Sequence, residues 1–252
     1  MLREWKTEWM KTRYRGIGWM ILAFSGLVFL WTVWAYGGRM PKEQLEDGFR
    51  MCFLQLPLMD TILMPTMIAM LASRLCDAEV KGDTLKLLCT MEKKGRLFDM
   101  KLLTGAVYLA VYLALQIGII FFQAERYNFA EPLHMIQLLY FILQVYSVSL
   151  ALLLLQVVLS FFFENQILPL AAGVFGSFVG LFSWFFADGP VKKLFLWGYY
   201  SELCFITNDW DLETRVVTYY DAPFDWFSFG LLFVILAAGY VVGKKLFLRK
   251  EI

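Results

Sequence analysis

The chain lacks most of the residues and motifs that enzymes and nucleic-acid-binding proteins use. It has a single histidine, His134, and four cysteines with no CxxC pair. A multi-histidine metal site is therefore excluded, and nothing supports a zinc site or a disulfide framework. Neither a GxxxxGK(S/T) phosphate-binding loop nor a GxSxG nucleophile elbow occurs. The net charge is only +1, so bulk electrostatics do not favour a nucleic-acid partner. We therefore predict no catalytic residue, no metal and no cofactor in this chain.

Apolar residues are what the sequence has in abundance. Hydrophobic residues make up 60% of the chain and aromatic residues 18%, more than a soluble domain of 252 residues can bury. A membrane-spanning helix needs roughly 20 apolar residues. Six stretches satisfy this: 17–34, 51–73, 102–122, 135–163, 167–186 and 226–243. We predict an all-α membrane protein in which 1–252 form a single six-helix domain.

The residues between the predicted spans indicate how the helices are connected and which side of the membrane each connecting segment lies on. The break 164–166 is so short that a bent hairpin or a re-entrant pair would produce the same pattern. Sixteen Lys and Arg residues lie on the side of the two termini and seven on the other side, so we expect both termini to be cytoplasmic. Residues 1–15 have the pattern of an amphipathic interfacial helix. The acidic, aromatic segment 188–225 is predicted to fold against the external membrane surface.

The cytoplasmic loop 74–101 is charged but compatible with a helix. Asp83 or Thr84 can cap such a helix, and Leu85, Leu88 and Met91 then form an apolar ridge. An ordinary interfacial loop that only sets topology is one interpretation. The other is a coupling helix whose ridge docks into a groove on a separate protein.

This loop resembles the signature of type-2 ABC exporter permeases. The matching run begins at Glu79 and ends at Leu88, and Arg96 and Lys101 follow it. The resemblance extends over the whole chain, with its amphipathic start, six spans and folded external segment, and is greatest to the permease subunits of lantibiotic-immunity transporters. In this chain Asp83 separates the expected Gly-Thr pair, and Met91 stands near a common proline position. The resemblance assigns ATPase coupling to Glu79, Gly82, Asp83, Thr84, Leu85, Leu88 and Arg96.

The resemblance implies a transport subunit that is not itself an enzyme. ATP and Mg²⁺ would bind to a partner, an ABC ATP-binding subunit, and a second permease would complete the transporter as a homodimer or heterodimer. The implied location is a bacterial plasma membrane, and the implied function is expulsion of a lantibiotic-type peptide from membrane lipid. Two alternatives stay open: the same fold exporting another drug, lipid or ion, or a membrane scaffold or sensor that transports nothing.

Asp60 lies deep in the second predicted span. A charge at mid-bilayer costs roughly 3 kcal/mol and usually faces protein or water. One interpretation is a substrate path or a packing contact. The other is a carboxyl group, protonated or not, that is hydrogen-bonded to Gln116, Gln144 or Gln156.

Two further sets of residues are candidate contact sites. Ala172, Gly176 and Gly180 form a small-residue stripe in the fifth span, which is typical of close helix packing, either within the chain or against a second permease. The external acidic residues are either a solvated surface or contacts for a cationic amphipathic peptide. For the peptide we single out Asp209, Trp210, Asp211 and Glu213.

Overall fold

The computed structural model describes residues 8–12, 14–37, 47–80, 94–186, 192–211 and 217–249. Within these residues the fold is mostly helical. The main elements are α1 (Ile17–Gly37), α2 (Gly48–Val80), α3 (Lys94–Tyr127), α4 (Met135–Phe162), α5 (Ile167–Ser183), β1 (Ile206–Trp210), β2 (Val217–Asp221) and α6 (Trp226–Arg249).

Five of these helices are long and apolar enough to cross a membrane, judged by length and composition. They are α1, the Gly48–Asp77 part of α2, α3, α4 and α6. Four helices are longer than the spans predicted for them: α1, α2, α3 and α6 all continue beyond their apolar stretches. The chain is therefore a multi-pass membrane protein.

α2 is the central helix of the bundle. It packs against α1, α3, α4 and α5, and most of its apolar span is buried inside the chain. A helix with neighbours on every side has no need of a polar face, which explains why apolar residues occur all around it. Pro57 and Pro65 lie inside it, and the Thr61 hydroxyl donates to the Pro57 carbonyl oxygen at 2.7 Å. This bond runs from a side chain to the backbone one turn earlier in the helix, a pattern common for threonine within helices.

α5 is shorter than the fifth span that the sequence predicts. Its 17 residues extend about 26 Å, compared with about 30 Å for the hydrocarbon core of a bilayer. Residues 192–203, here called the inserted segment, follow with three short helical turns that pack against α2, α4 and α5. Tyr200 in this segment is fully buried, and its hydroxyl lies 2.8 Å from Ser149 Oγ, midway along α4. The region predicted as one span is thus followed by a segment that enters the bundle, and the six-span count stays a prediction.

The two ends of the bundle differ. At one end, here called the terminal end, residues 8–12 and the end of α6 meet α3, and Arg15 meets the C-terminal part of α2. The other, the hairpin end, carries the antiparallel pair β1–β2, in which Ile206 lies opposite Asp221 and Trp210 opposite Val217. These strands are not among the elements predicted from the sequence, although β-branched and aromatic residues occur in both.

Candidate functional site

At the terminal end, residues 8–12 form helical turns that are fastened to α3. Lys101 Nζ donates to Glu8 Oε2 at 2.6 Å, and Lys11 Nζ donates to Glu8 Oε1 at 2.7 Å. The side chains of Glu8 and Lys101 are 5% and 1% exposed. Burial by itself raises the pKa of Glu8, but the ammonium groups of Lys101 and Lys11 outweigh it and hold this pKa below its ordinary value. The two lysines therefore favour the ionised form of the Glu8 carboxyl group.

Further contacts join the same turns to α2 and α3. The ring of Trp9 stacks on that of Tyr108, with centroids 5.2 Å apart, and the Tyr108 hydroxyl donates to Thr12 Oγ1 at 3.1 Å. Arg15 and Arg74 each donate from Nη1 to the carbonyl oxygen of the other residue. Of the predicted interfacial helix 1–15, the structure describes residues 8–12, 14 and 15. These residues pack against α2 and α3 of the bundle.

The end of α6 is held at the same level of the bundle. Lys244 Nζ donates to both carboxylate oxygens of Asp99 on α3, at 2.7 and 2.6 Å, and the Tyr240 hydroxyl donates to Asp99 Oδ1 at 2.7 Å. Residues 8–12, α2, α3 and α6 are therefore connected by polar contacts at the terminal end.

The predicted coupling residues lie between α2 and α3. Glu79 belongs to the last turn of α2, and Arg96 is exposed in the first turn of α3. Gly82, Asp83, Thr84, Leu85 and Leu88 lie outside the described residues, so the coupling helix stays a prediction. Both edges of the predicted loop 74–101 are helical and continuous with the spans.

Asp60 lies in a buried polar cluster between α2 and α3. Tyr112 donates from its hydroxyl to Asp60 Oδ1 at 3.0 Å, and Gln116 donates from Nε2 to the same oxygen at 2.7 Å. Asp60 and Gln116 are both 0% exposed. Of the three glutamines that the sequence suggests as partners, the structure places Gln116 on Asp60. Gln144 instead donates to the carbonyl oxygen of Tyr200 at 2.6 Å.

The small-residue stripe of α5 has neighbours within the chain. A Cβ on Gly176 would overlap the Trp197 indole, and one on Gly180 would lie 2.6 Å from Thr61 Cγ2 and 2.9 Å from the carbonyl oxygen of Trp197. Ala172 is only partly buried. The stripe therefore packs against α2 and the inserted segment, and contact of α5 with a second permease stays a prediction.

At the hairpin end, part of the predicted peptide-contact set is exposed on β1. Asp209, Trp210 and Asp211 are all exposed, Trp210 to 61%, whereas Glu213 lies outside the described residues. Sequence reasoning did not identify the polar cluster that positions this end. There Arg50 binds Asp47 at 2.6 Å, Glu131 at 2.9 Å and Asp221 at 3.2 Å.

Glu8 is a further residue that was not identified from the sequence. It is an acid within a basic segment, and nothing in the sequence indicates that its partner lies far along the chain at Lys101. Lys101 itself was noted only as part of the family resemblance.

Long apolar helices around a buried polar core, joined by polar contacts at one end, define a multi-pass membrane protein. The chain matches the family model described as ABC-2 family transporter protein over residues 5–180, and it belongs to that family. The family comprises membrane permease subunits of ABC transporters, which normally work with an ABC ATP-binding subunit. No curated protein and no solved structure was found to match the chain.

Proposed function

We propose that this permease subunit belongs to an exporter that expels a lantibiotic-type antimicrobial peptide from the membrane, for self-immunity or resistance. A separate subunit would bind ATP and Mg²⁺ and hydrolyse the ATP. The single observation that carries the proposal is membership of the ABC-2 family. The lantibiotic assignment rests on the sequence resemblance alone. The proposal places the chain in a bacterial plasma membrane, with both termini in the cytoplasm.

The long central helices support a mechanical link to an ATPase. α2 has 33 residues and α3 has 34, so each is about 50 Å long and longer than a bilayer core is thick. The segment 81–93 connects their ends. An ATPase that moves this segment would displace both helices, and α2 would transmit the displacement to the four helices packed around it.

The exposed apolar face of α5 supports the second permease. Phe175, Phe178 and Phe182 are between 57% and 66% exposed, on the side opposite to the stripe that packs inside the chain. Such a face contacts lipid or another membrane helix. We assign it to the second permease, which is either a second copy of this chain or a sibling.

The hairpin end supports the choice of cargo. Asp209, Asp211 and the indole of Trp210 between them in the sequence are all exposed at this end. Acidic groups attract cationic ligands, and an aromatic ring offers them a further contact. A cationic peptide lying in the outer leaflet would approach the permease at this end.

Purification of the complex tests the proposal. The chain would be purified from its native membrane in mild detergent, and the preparation examined by mass spectrometry and an ATPase assay. We expect a stoichiometric ATP-binding subunit that is lost in the double variant Leu85→Asp, Leu88→Asp. Leu194→Asp is the matched control, because Leu194 is 79% exposed near the hairpin end and should retain the partner.

Two outcomes would contradict parts of the proposal. A chain that purifies alone, without ATP hydrolysis, would favour the scaffold or sensor. An intact complex that protects cells against a small drug, but not against the peptide, would keep the exporter and replace its cargo.

A further inference from the structure

The Asp60 cluster has more hydrogen-bond acceptors than donors. Asp60 Oδ2 and Gln116 Oε1 are buried and have no hydrogen-bond partner among the described residues. Both are carbonyl-type or carboxylate oxygens, which accept and do not donate. Unmet buried acceptors are costly, so a native structure is expected to satisfy them.

The available donors of this cluster are already engaged. The Tyr112 hydroxyl donates to Asp60 Oδ1. The Ser149 hydroxyl donates to the Val145 carbonyl oxygen at 2.6 Å, which leaves Tyr200 as the donor in its contact with Ser149. The cluster is therefore short of a proton or another positive charge.

No cation compensates Asp60 within the part of the chain that the structure describes. The titratable groups that face it are the phenols of Tyr112 on α3 and Tyr200 in the inserted segment. α1, α4 and α5 place no charged group against it. A carboxylate ion buried in this way would be unpaired and strongly disfavoured.

We propose that Asp60 is a proton-binding site: its carboxyl group carries a proton on Oδ2 and donates it to Gln116 Oε1. An acid and an amide pair through two hydrogen bonds when the acid is protonated. One of them, from Gln116 Nε2 to Asp60 Oδ1, is present at 2.7 Å. The two atoms required for the second are both among those left without a partner.

The proton would join α2 to α3 at the middle of the bundle. Loss of the proton would leave a buried anion and would favour separation of the two helices with entry of water. The Asp60–Gln116 pair would therefore hold α2 against α3 in a pH-dependent way. This inference does not depend on the cargo or on the ATPase, so it can fail while the proposed function holds, and the reverse.

Infrared spectroscopy of the full chain in lipid nanodiscs tests the protonation directly. The probe is the difference spectrum between the wild type and Asp60→Asn at neutral pH. We expect the wild type to show the C=O stretch of a protonated carboxylic acid, which the variant lacks. The paired bands of a carboxylate in its place would overturn the proposal.

Thermal unfolding gives a second test, because asparagine mimics the protonated acid. Its Nδ2 can donate to Gln116 Oε1 while its Oδ1 accepts from Gln116 Nε2. Asp60→Asn should therefore keep the unfolding midpoint within about 2 °C, whereas Asp60→Ala should lower it by about 4 °C or more. The control is Asp99→Asn, which should lower the midpoint because Asp99 binds the Lys244 ammonium. Equal losses for Asp60→Asn and Asp60→Ala would contradict the proposal.

The response to pH and to sodium separates a proton from a metal cation. An acid that is neutral when folded and ionised when unfolded binds more protons in the folded state, so stability falls as pH rises. The wild type should lose stability relative to Asp60→Asn at alkaline pH. Replacing choline by Na⁺ at constant ionic strength should leave both midpoints unchanged. A stabilisation by Na⁺ that Asp60→Asn abolishes would instead identify a sodium site.

Discussion

At the scale of single residues, the Glu8–Lys101 ion pair is a buried polar link between the start of the chain and the bundle. Each group is almost fully buried, and each compensates charge on the other. Removing one partner from a buried pair leaves an uncompensated charge, which is why such pairs are more sensitive to single than to double replacement. The lowered pKa of Glu8 means that the pair stabilises the fold at neutral pH and loses its effect as pH falls into the acid range.

We expect Lys101→Met to destabilise the chain by about 3 kcal/mol, because among the described residues Glu8 then keeps Lys11 as its one cationic partner. The matched control is Lys11→Met, since Lys11 is 31% exposed and its loss should cost less than about 1 kcal/mol. Thermal unfolding in detergent measures both. Adding Glu8→Gln to Lys101→Met should restore part of the loss. Equal effects of the two lysine variants would show that burial of the pair does not matter.

Sequence reasoning reached some single residues and missed others. A charged residue in an apolar span must find a polar partner, so a bond between Asp60 and a glutamine was among the predicted alternatives. Which glutamine takes part depends on how the helices are rotated against each other, and only the structure shows that it is Gln116. The partner of Glu8 was not predictable, because the two residues are far apart in the sequence.

At the scale of elements, α5 depends on glycine for its position. Its close approach to α2 and to the inserted segment leaves no room for a side chain at Gly176 or Gly180. The approach aligns Ser177 Oγ with Thr66 Oγ1 at 3.2 Å and Trp184 Nε1 with Thr61 Oγ1 at 3.0 Å. Small residues permit this kind of packing between membrane helices.

We expect Gly180→Ala to destabilise the chain by about 1–3 kcal/mol, because the new methyl group would meet Thr61 and the backbone of Trp197. Gly230→Ala in α6 is the control, since a Cβ there meets no atom of the described chain within 4 Å. Unfolding midpoints and protease resistance of the two purified variants provide the comparison. A tolerated Gly180→Ala would mean that α5 packs differently against α2.

The helices that the sequence predicts are those whose apolar stretches are long enough to identify them as spans. Every predicted span corresponds to a helix, but the bounds differ at charged ends, where 74–80 and 94–101 continue α2 and α3 as helix. Hydropathy reports the apolar part of a helix and not its polar extension. The hairpin β1–β2 was missed because short strands carry a weak signal beside aromatic membrane segments.

At the scale of the whole molecule, the acidic hairpin and the terminal end lie at opposite ends of the bundle. A peptide bound at one end and an ATPase bound at the other would be connected by α2 and α3, which run between them. Neutralising acids at the hairpin end should therefore affect encounter with the peptide and not assembly with the ATPase.

We expect the triple variant Asp209→Asn, Asp211→Asn, Glu213→Gln to reduce peptide resistance of cells by about tenfold, since clefts of one charge sign raise encounter rates by 10-fold or more. Copurification of the ATPase should be unchanged. Glu164→Gln is the control, because Glu164 is an exposed acid in the break between α4 and α5. Unchanged resistance in the triple variant would argue against any steering of the peptide.

The sequence by itself determined the class of the protein. Its apolar stretches can be satisfied only by membrane helices, because backbone groups in lipid must bond within their own segment, and the loop 74–101 pointed to the family. The tertiary structure decided which side chains meet: Asp60 with Gln116, Glu8 with Lys101, and the α5 glycines with α2 and Trp197. Those contacts depend on the rotation, depth and pairing of the helices. Hydropathy does not encode them, since lipid-facing and buried surfaces of a membrane helix are both apolar.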